Sequence, residues 1–156
     1  MEWKAGYETG IQEIDDHHKT ILGFINEFEA AASQKQHWNA VQPLLVRTRE
    51  FARFHFAVEE SLMQIINYPM FAAHRSEHRH ILVQIESLEI GVLRQDLKEE
   101  LLPLMRNWLI GHMVESDLHF TRYAMARYRD ADDAVEEREA QTGLNLSRQG
   151  LPPGRP

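Results

Sequence analysis

The feature that most constrains this chain is a contradiction within one short stretch. Phe54-His55-Phe56-Ala57-Val58-Glu59-Glu60-Ser61-Leu62-Met63 has the aromatic, leucine and methionine content of a buried helix face, yet His55 and Glu59 stand four residues apart in its middle. On a helix that spacing stacks them one turn apart on the same side. Burying an imidazole and a carboxylate among apolar groups is costly unless something pairs with both. A divalent metal ion does so, since neutral imidazole and carboxylate both ligate iron or zinc. The remaining ligands must then come from other helices, and four-helix bundles build such sites in their cores from inward side chains.

Composition narrows the field. A length of 156 residues fits one domain with a substantial core, and 43% hydrophobic with 26% charged residues is ordinary for a globular protein. No run of about eighteen apolar residues occurs, so no membrane span is expected. Met1-Glu2-Trp3-Lys4 lacks the basic start and apolar run of a secretory signal. With no cysteine there can be no disulfide, thiolate nucleophile, iron–sulfur cluster or zinc-thiolate site, and a cytoplasmic location is expected. A net charge of −7 argues against nucleic acid as a partner. No glycine-rich phosphate loop and no G-x-S-x-G elbow is present. Histidine is the outlier, with nine in the chain.

Residues 1–10 read as an extended arm whose Trp3 and Tyr7 cover one end of a bundle. From Ile11 to about Ser33 the positions Ile14, Ile21, Leu22, Ile25 and Phe28 mark an amphipathic helix. His18 lies on that stripe, whereas His17 points about 100° away. Gln34 to Asn39 reads as a polar connection with a solvated His37. A second helix begins between Ala40 and Pro43, where proline is tolerated in the opening turn, and runs to about Ile66. Asn67-Tyr68-Pro69 ends it. A third helix spans about Met70 to Ile90 and is closed by Gly91. It carries His74 and His78, stacked four apart; the flanking Arg75, Glu77 and Arg79 would equally suit a solvated face. His80, about 200° from His78, should face water.

The fourth helix starts near Asp96 as N-cap, contains Pro103 as a kink or division, and continues to about Tyr128. His112 and Asp117 are five apart, roughly 140° around an ideal helix, so spacing alone does not pair them. Glu115 and His119, three and seven after His112, align better by that criterion. The acidic stretch from Arg129 to Glu137 could prolong this helix, and the Pro/Gly-rich end to Pro156 should be disordered. The division expected is residues 1–128 for the bundle and 129–156 for the tail.

Laid out in order, the residues resemble the hemerythrin family, specifically the bacterial hemerythrins. The blocks are Trp3…Gly10-Ile11…Ile14-Asp15…His18-Lys19, then His55-Phe56…Glu59-Glu60…Leu62-Met63, then Tyr68-Pro69…His74…His78, then Trp108-Leu109…His112 and Asp117. The resemblance implies an all-α, up-down-up-down antiparallel four-helix bundle with an N-terminal arm and a C-terminal tail. It implies that His18, His55, His74, His78 and His112 are terminal ligands to two irons, which Glu59, Asp117 and an oxo or hydroxo group bridge. The iron of His74, His78 and His112 would be full, and that of His18 and His55 open to dioxygen, held there as hydroperoxide and released unchanged. Ile21, Phe56, Trp108, Leu109 and Met113 match the positions lining the oxygen pocket. The function implied is non-enzymatic oxygen storage, delivery or buffering, with an oxygen-consuming enzyme as a reasonable recipient and a monomer as the expected state. The alternatives are an oxygen or redox sensor signalling through the tail, a di-iron reductase of nitric oxide or peroxide, and a zinc-binding structural bundle.

Overall fold

The computed structural model describes residues 1–34, 38–91, 103, 106 and 110–148. Among the described residues four long helical segments are present: α1 (Gln12–Ser33), α2 (Trp38–Ile65), α3 (Phe71–Gly91), and a fourth in which residues 110–112 lead through a π-helical turn, Met113–Asp117, into α4 (Leu118–Arg148). No strand occurs among the described residues, and none of their helices is long and apolar enough to cross a membrane. His37 and Asp96 lie outside the described residues, as does the end of the tail from 149 to 156. Pro103 is helical and exposed, and α2 opens slightly earlier than proline placement suggests, at Trp38.

Two apolar clusters define the bundle and give its topology. One gathers Ile21, Ile25 and Phe28 of α1 with Val41, Leu45 and Phe56 of α2 and Ile81, Ile85 and Leu88 of α3. The other joins Met63 of α2 to Tyr68 and to Phe120 of α4. α1 runs toward the first cluster, α2 from the first to the second, α3 back again, and the fourth helix returns to the second and continues past it. The chain therefore passes up, down, up and down, as a four-helix bundle requires. Phe120 is fully buried, so its truncation to alanine should cost about 3–5 kcal/mol.

Local chemistry sets the turns. α2 ends in a Schellman motif: the Tyr68 N–H donates to Met63 O at 2.8 Å, and the Asn67 N–H to Gln64 O at 3.2 Å. Asn67 takes φ +53°, a left-handed conformation that asparagine tolerates, and Pro69 then forbids continuation. At the start of α1, Gly10 has φ +84°, which turns the arm into the helix. Buried Asp15 accepts from both the N–H and the hydroxyl of Thr9, each at 2.8 Å. Ion pairs tie neighbouring helices across the surface: Arg47 to Glu27, Arg49 to Glu89 at 2.6 Å, and Arg106 to Glu29.

The arm differs from the sequence expectation. Met1 bonds the Asn26 side chain, Lys19 lies 5.3 Å over the Trp3 ring, and the 3₁₀ turn Ala5–Tyr7 rests against the π turn. It thus runs back along the side of α1 and does not cap an end. Trp3 and Tyr7, edge-on at 5.7 Å, are only half-buried in that groove.

Candidate metal centre

Between the two apolar clusters lies a layer that no apolar core would choose. His18, His55, Glu59, His74, His78, His112 and Asp117 are all buried, and Glu59 and Asp117 are wholly inaccessible. The i, i+4 spacing brings His55 and Glu59 together from α2, and His74 and His78 from α3, while His18 projects from the buried stripe of α1.

Asp117 arrives by a different route. The π turn closes backbone hydrogen bonds from i to i+5, so residues five apart stack where an α-helix would splay them. Met113–Asp117 is such a turn, and it sets His112 Nε2 3.1 Å from Asp117 Oδ1. Glu115 and His119, the better-aligned candidates on an ideal helix, are both exposed, and the ring Nδ1 of His119 instead lies 2.6 Å from the Tyr68 hydroxyl. The unwritten assumption of 3.6 residues per turn fails here, and no sequence signal marks the π turn other than the H-x-x-x-x-D spacing itself.

The donor atoms form two overlapping groups. Within each, the ligand atoms all lie within 4.8 Å of one another: Glu59, His74, His78, His112 and Asp117 in the first; His18, His55, Glu59 and Asp117 in the second. Glu59 and Asp117 belong to both. Asp117 Oδ1 is 3.1 Å from His74 Nε2, its Oδ2 3.1 Å from His18 Nε2, and Glu59 Oε2 3.2 Å from His78 Nε2 and 3.8 Å from His55 Nε2.

Electrostatics show how uneasy this layer is without a cation. Burial pushes His55 down to about 3 and His78 down to about 2, and burial with the nearby charge of Asp117 raises Glu59 to about 7. Burial opposes a charge on His74 and His112 too, but Asp117 outweighs it: His74 rises to about 9 and His112 also shifts upward. Burial would likewise raise Asp117, yet the charge of His112 and the close approach of the His112, His18 and His74 rings hold it well below the usual carboxylate range. Both oxygens of Glu59, Oδ1 of Asp117 and Nε2 of His74, His78 and His112 are buried without a hydrogen-bond partner. Stranded polar atoms of this kind each cost about 1–3 kcal/mol. Six of them converging on one volume fit a metal centre, and an all-nitrogen-and-oxygen donor set without thiolate suits iron.

Two further residues enter the site that sequence reasoning did not find. Glu60 Oε1 lies 3.1 Å from His78 Nδ1 and is itself paired with Arg75 at 3.1 Å. Glu77 Oε2 lies 3.0 Å from His112 Nδ1 and accepts from the Ser116 hydroxyl at 2.5 Å. Such carboxylates fix the ring orientation of a ligating histidine and raise its basicity. The Glu-after-Glu doublet at 59–60 was the one available signal for the first; nothing in spacing points to the second.

The hemerythrin HHE cation-binding domain model matches residues 9–124. The chain belongs to the hemerythrin family. Relatives include a bacteriohemerythrin of Pseudomonas aeruginosa, 30% identical over 118 residues covering 75% of this chain and 76% of that one. A bacteriohemerythrin of Stenotrophomonas maltophilia is 28% identical over 149 residues, 95% of this chain and 94% of the relative. A solved crystal structure of a hemerythrin mutant superposes with a TM-score of 0.71 at 25% identity, over 80% of this chain and 96% of that chain. The family resemblance read from the residues is therefore correct, and its bacterial branch is the one matched.

Of the residues expected to line the hemerythrin oxygen pocket, Ile21, Phe56 and Met113 are buried. Phe56 stacks on the His78 ring at 3.9 Å and 9° and meets the edge of His112 at 5.8 Å. Trp108 and Leu109 lie outside the described residues. His17, adjacent to His18, is half-buried against Phe51, Phe54 and His55, with ring centroids at 5.6, 5.1 and 5.5 Å. His80 is exposed, as its position on the helix requires.

Proposed function

We propose that this chain binds dioxygen reversibly at a non-haem di-iron centre and serves oxygen storage, delivery or buffering and not catalysis. The observation that carries the reading is the unequal pair of donor groups sharing Glu59 and Asp117. Glu59, His74, His78, His112 and Asp117 would hold one iron with five protein donors. His18, His55, Glu59 and Asp117 would hold the other iron with one protein donor fewer, which is where dioxygen would bind. When bound, the two irons supply the two electrons that dioxygen takes up and returns.

The protein's own part is restraint. Glu59 and Asp117, which belong to both donor groups, would be shared between the two irons. Glu60 and Glu77 keep the Nδ1 protons of His78 and His112, so that Nε2 faces inward as a donor. Ile21, Phe56 and Met113, all buried, present no acid and exclude water, which slows irreversible oxidation of the centre.

The test is spectroscopic. Iron analysis should return two irons per chain. Reduced, anaerobic protein exposed to air should develop near-ultraviolet and visible bands that fade under vacuum and return on re-exposure. One-way conversion to a ferric product would overturn reversible binding and favour a sensor or reductase.

A further inference from the structure

The helix that delivers Asp117 does not stop where the bundle stops. From Met125 through Gln141 every residue of α4 is exposed, without one half-buried position. A helix of that length gains little stability by itself, since most helical stability in proteins comes from packing one face. Its apolar residues do share a face: Met125, Tyr128, Ala131 and Val135 fall within about 120° of arc at 100° per residue. Met125, Tyr128 and Val135 are 37%, 68% and 52% exposed. The same stripe borders an open groove of about 430 Å³ at the end of the bundle, which Ile11, Ile65 and Ile66 complete. Ile65 is 76% exposed there, the most exposed large apolar side chain among the described residues.

Charge is ordered along one flank of that stripe. Arg122 and Arg129 come first, and Asp132, Asp133, Glu136 and Glu139 follow, all within about 120° of each other around the helix. Among the described residues none of these six makes an ion pair within the chain. Basic-then-acidic order on a single flank is self-complementary when the same helix is laid against it in reverse. An isologous two-fold interface has this property: it opposes a patch to its own copy.

We propose that this face is a homodimer interface, in which two chains pair α4 antiparallel about a two-fold axis level with Ala131 and Asp132. In that register Tyr128 meets Val135 of the partner subunit. Arg129 faces Asp133 and Glu136 of the partner subunit, and Arg122 faces the partner's Glu139. Each bundle-end groove receives the distal part of the other chain's α4, covering Ile65 and Met125. A parallel pairing would set like charge against like charge along the whole flank, arginine on arginine and then acid on acid. This proposal departs from the monomer expected from sequence, since composition carries no information on which face remains uncovered.

Sedimentation of the iron-loaded full chain tests this. The expected mass is twice the 18.2 kDa of one chain, with dissociation on dilution and in high salt. Val135→Glu should sediment as a single chain with unchanged helix content and iron. Arg129→Glu should weaken association about tenfold, and adding Glu136→Arg should restore it. A single-chain mass at every concentration would overturn the proposal. So would a dimer indifferent to Val135→Glu, or a charge swap that fails to restore association.

Discussion

The two halves of the metal layer are built differently. On the three-histidine side, His78 and His112 are backed by Glu60 and Glu77 at 3.1 and 3.0 Å. On the two-histidine side, the Nδ1 atoms of His18 and His55 are buried with no hydrogen-bond partner at all. Backing by a carboxylate makes an imidazole a stronger and better oriented donor. The half proposed to be coordinatively complete is thus the half whose donors are braced, and the half proposed to exchange its ligand is held by two rings whose outer nitrogens have no hydrogen-bond partner. The metal that is only held needs strong donors; the one that must take and return a ligand does not.

The shared residue should show the largest effect. Asp117→Ala removes a donor from both groups and should leave less than one iron per chain by elemental analysis; a full complement would break the two-group picture. Next come the braces. Glu60→Gln or Glu77→Gln should weaken metal retention against a chelator about 10–100-fold. The loss should stop at one of the two irons, with the His18/His55 iron kept. Equal loss of both would mean that the halves are not separable.

A smaller effect concerns protons. In the metal-free fold His55 and His78 are lowered to about 3 and 2 from the usual 6.5, so below pH 6.5 the unfolded chain binds protons that the fold refuses. Glu59, raised from 4.5 to about 7, opposes this by keeping a proton that the unfolded chain releases, and His74, raised to about 9, does so with the also raised His112 above about pH 6, where the unfolded imidazoles are neutral. The balance is roughly one proton more on the unfolded chain near pH 5, so stability should fall by about 1.4 kcal/mol per pH unit on acidification. Urea midpoints of the metal-free protein at pH 5.5, 5 and 4.5 measure it, below the range where His74 and His112 contribute, and His55→Gln and His78→Gln should each flatten the slope alike. A rise on acidification would show Glu59 dominating instead. The smallest effect is Arg75→Ala, which frees Glu60 from a half-exposed ion pair and should change metal retention only a few-fold.

Some of this was legible in the sequence and some was not, for physical reasons. His55 with Glu59, and His74 with His78, could be read because an α-helix repeats its face every three to four residues. The helix spans follow from the same periodicity, and Asn67-Tyr68-Pro69 announced the α2–α3 turn. Asp117 could not be derived from spacing, because a π turn changes the period just where the site needs it. Glu77 was illegible for another reason: its partner is on a different helix, and only packing reveals which neighbour an acidic side chain serves. The uncovered face of α4 was invisible because its apolar residues are few and widely spaced, and they become a stripe only once the helix is known to continue unbroken past Tyr128 to Arg148.

The π turn also sets the phase of everything after it. One residue added to a helix rotates all later side chains by about 100° relative to those before it. Phe120 reaches the Met63–Tyr68 cluster, and Met125, Tyr128 and Val135 keep a common heading, only with that rotation in place. Deleting a single residue between Met113 and Ser116 would therefore do more than misplace Asp117: it would swing Phe120 toward water and turn the distal helix away from its present azimuth. Ligand geometry and the heading of the far helix are inherited together, so neither can drift by insertion or deletion without the other.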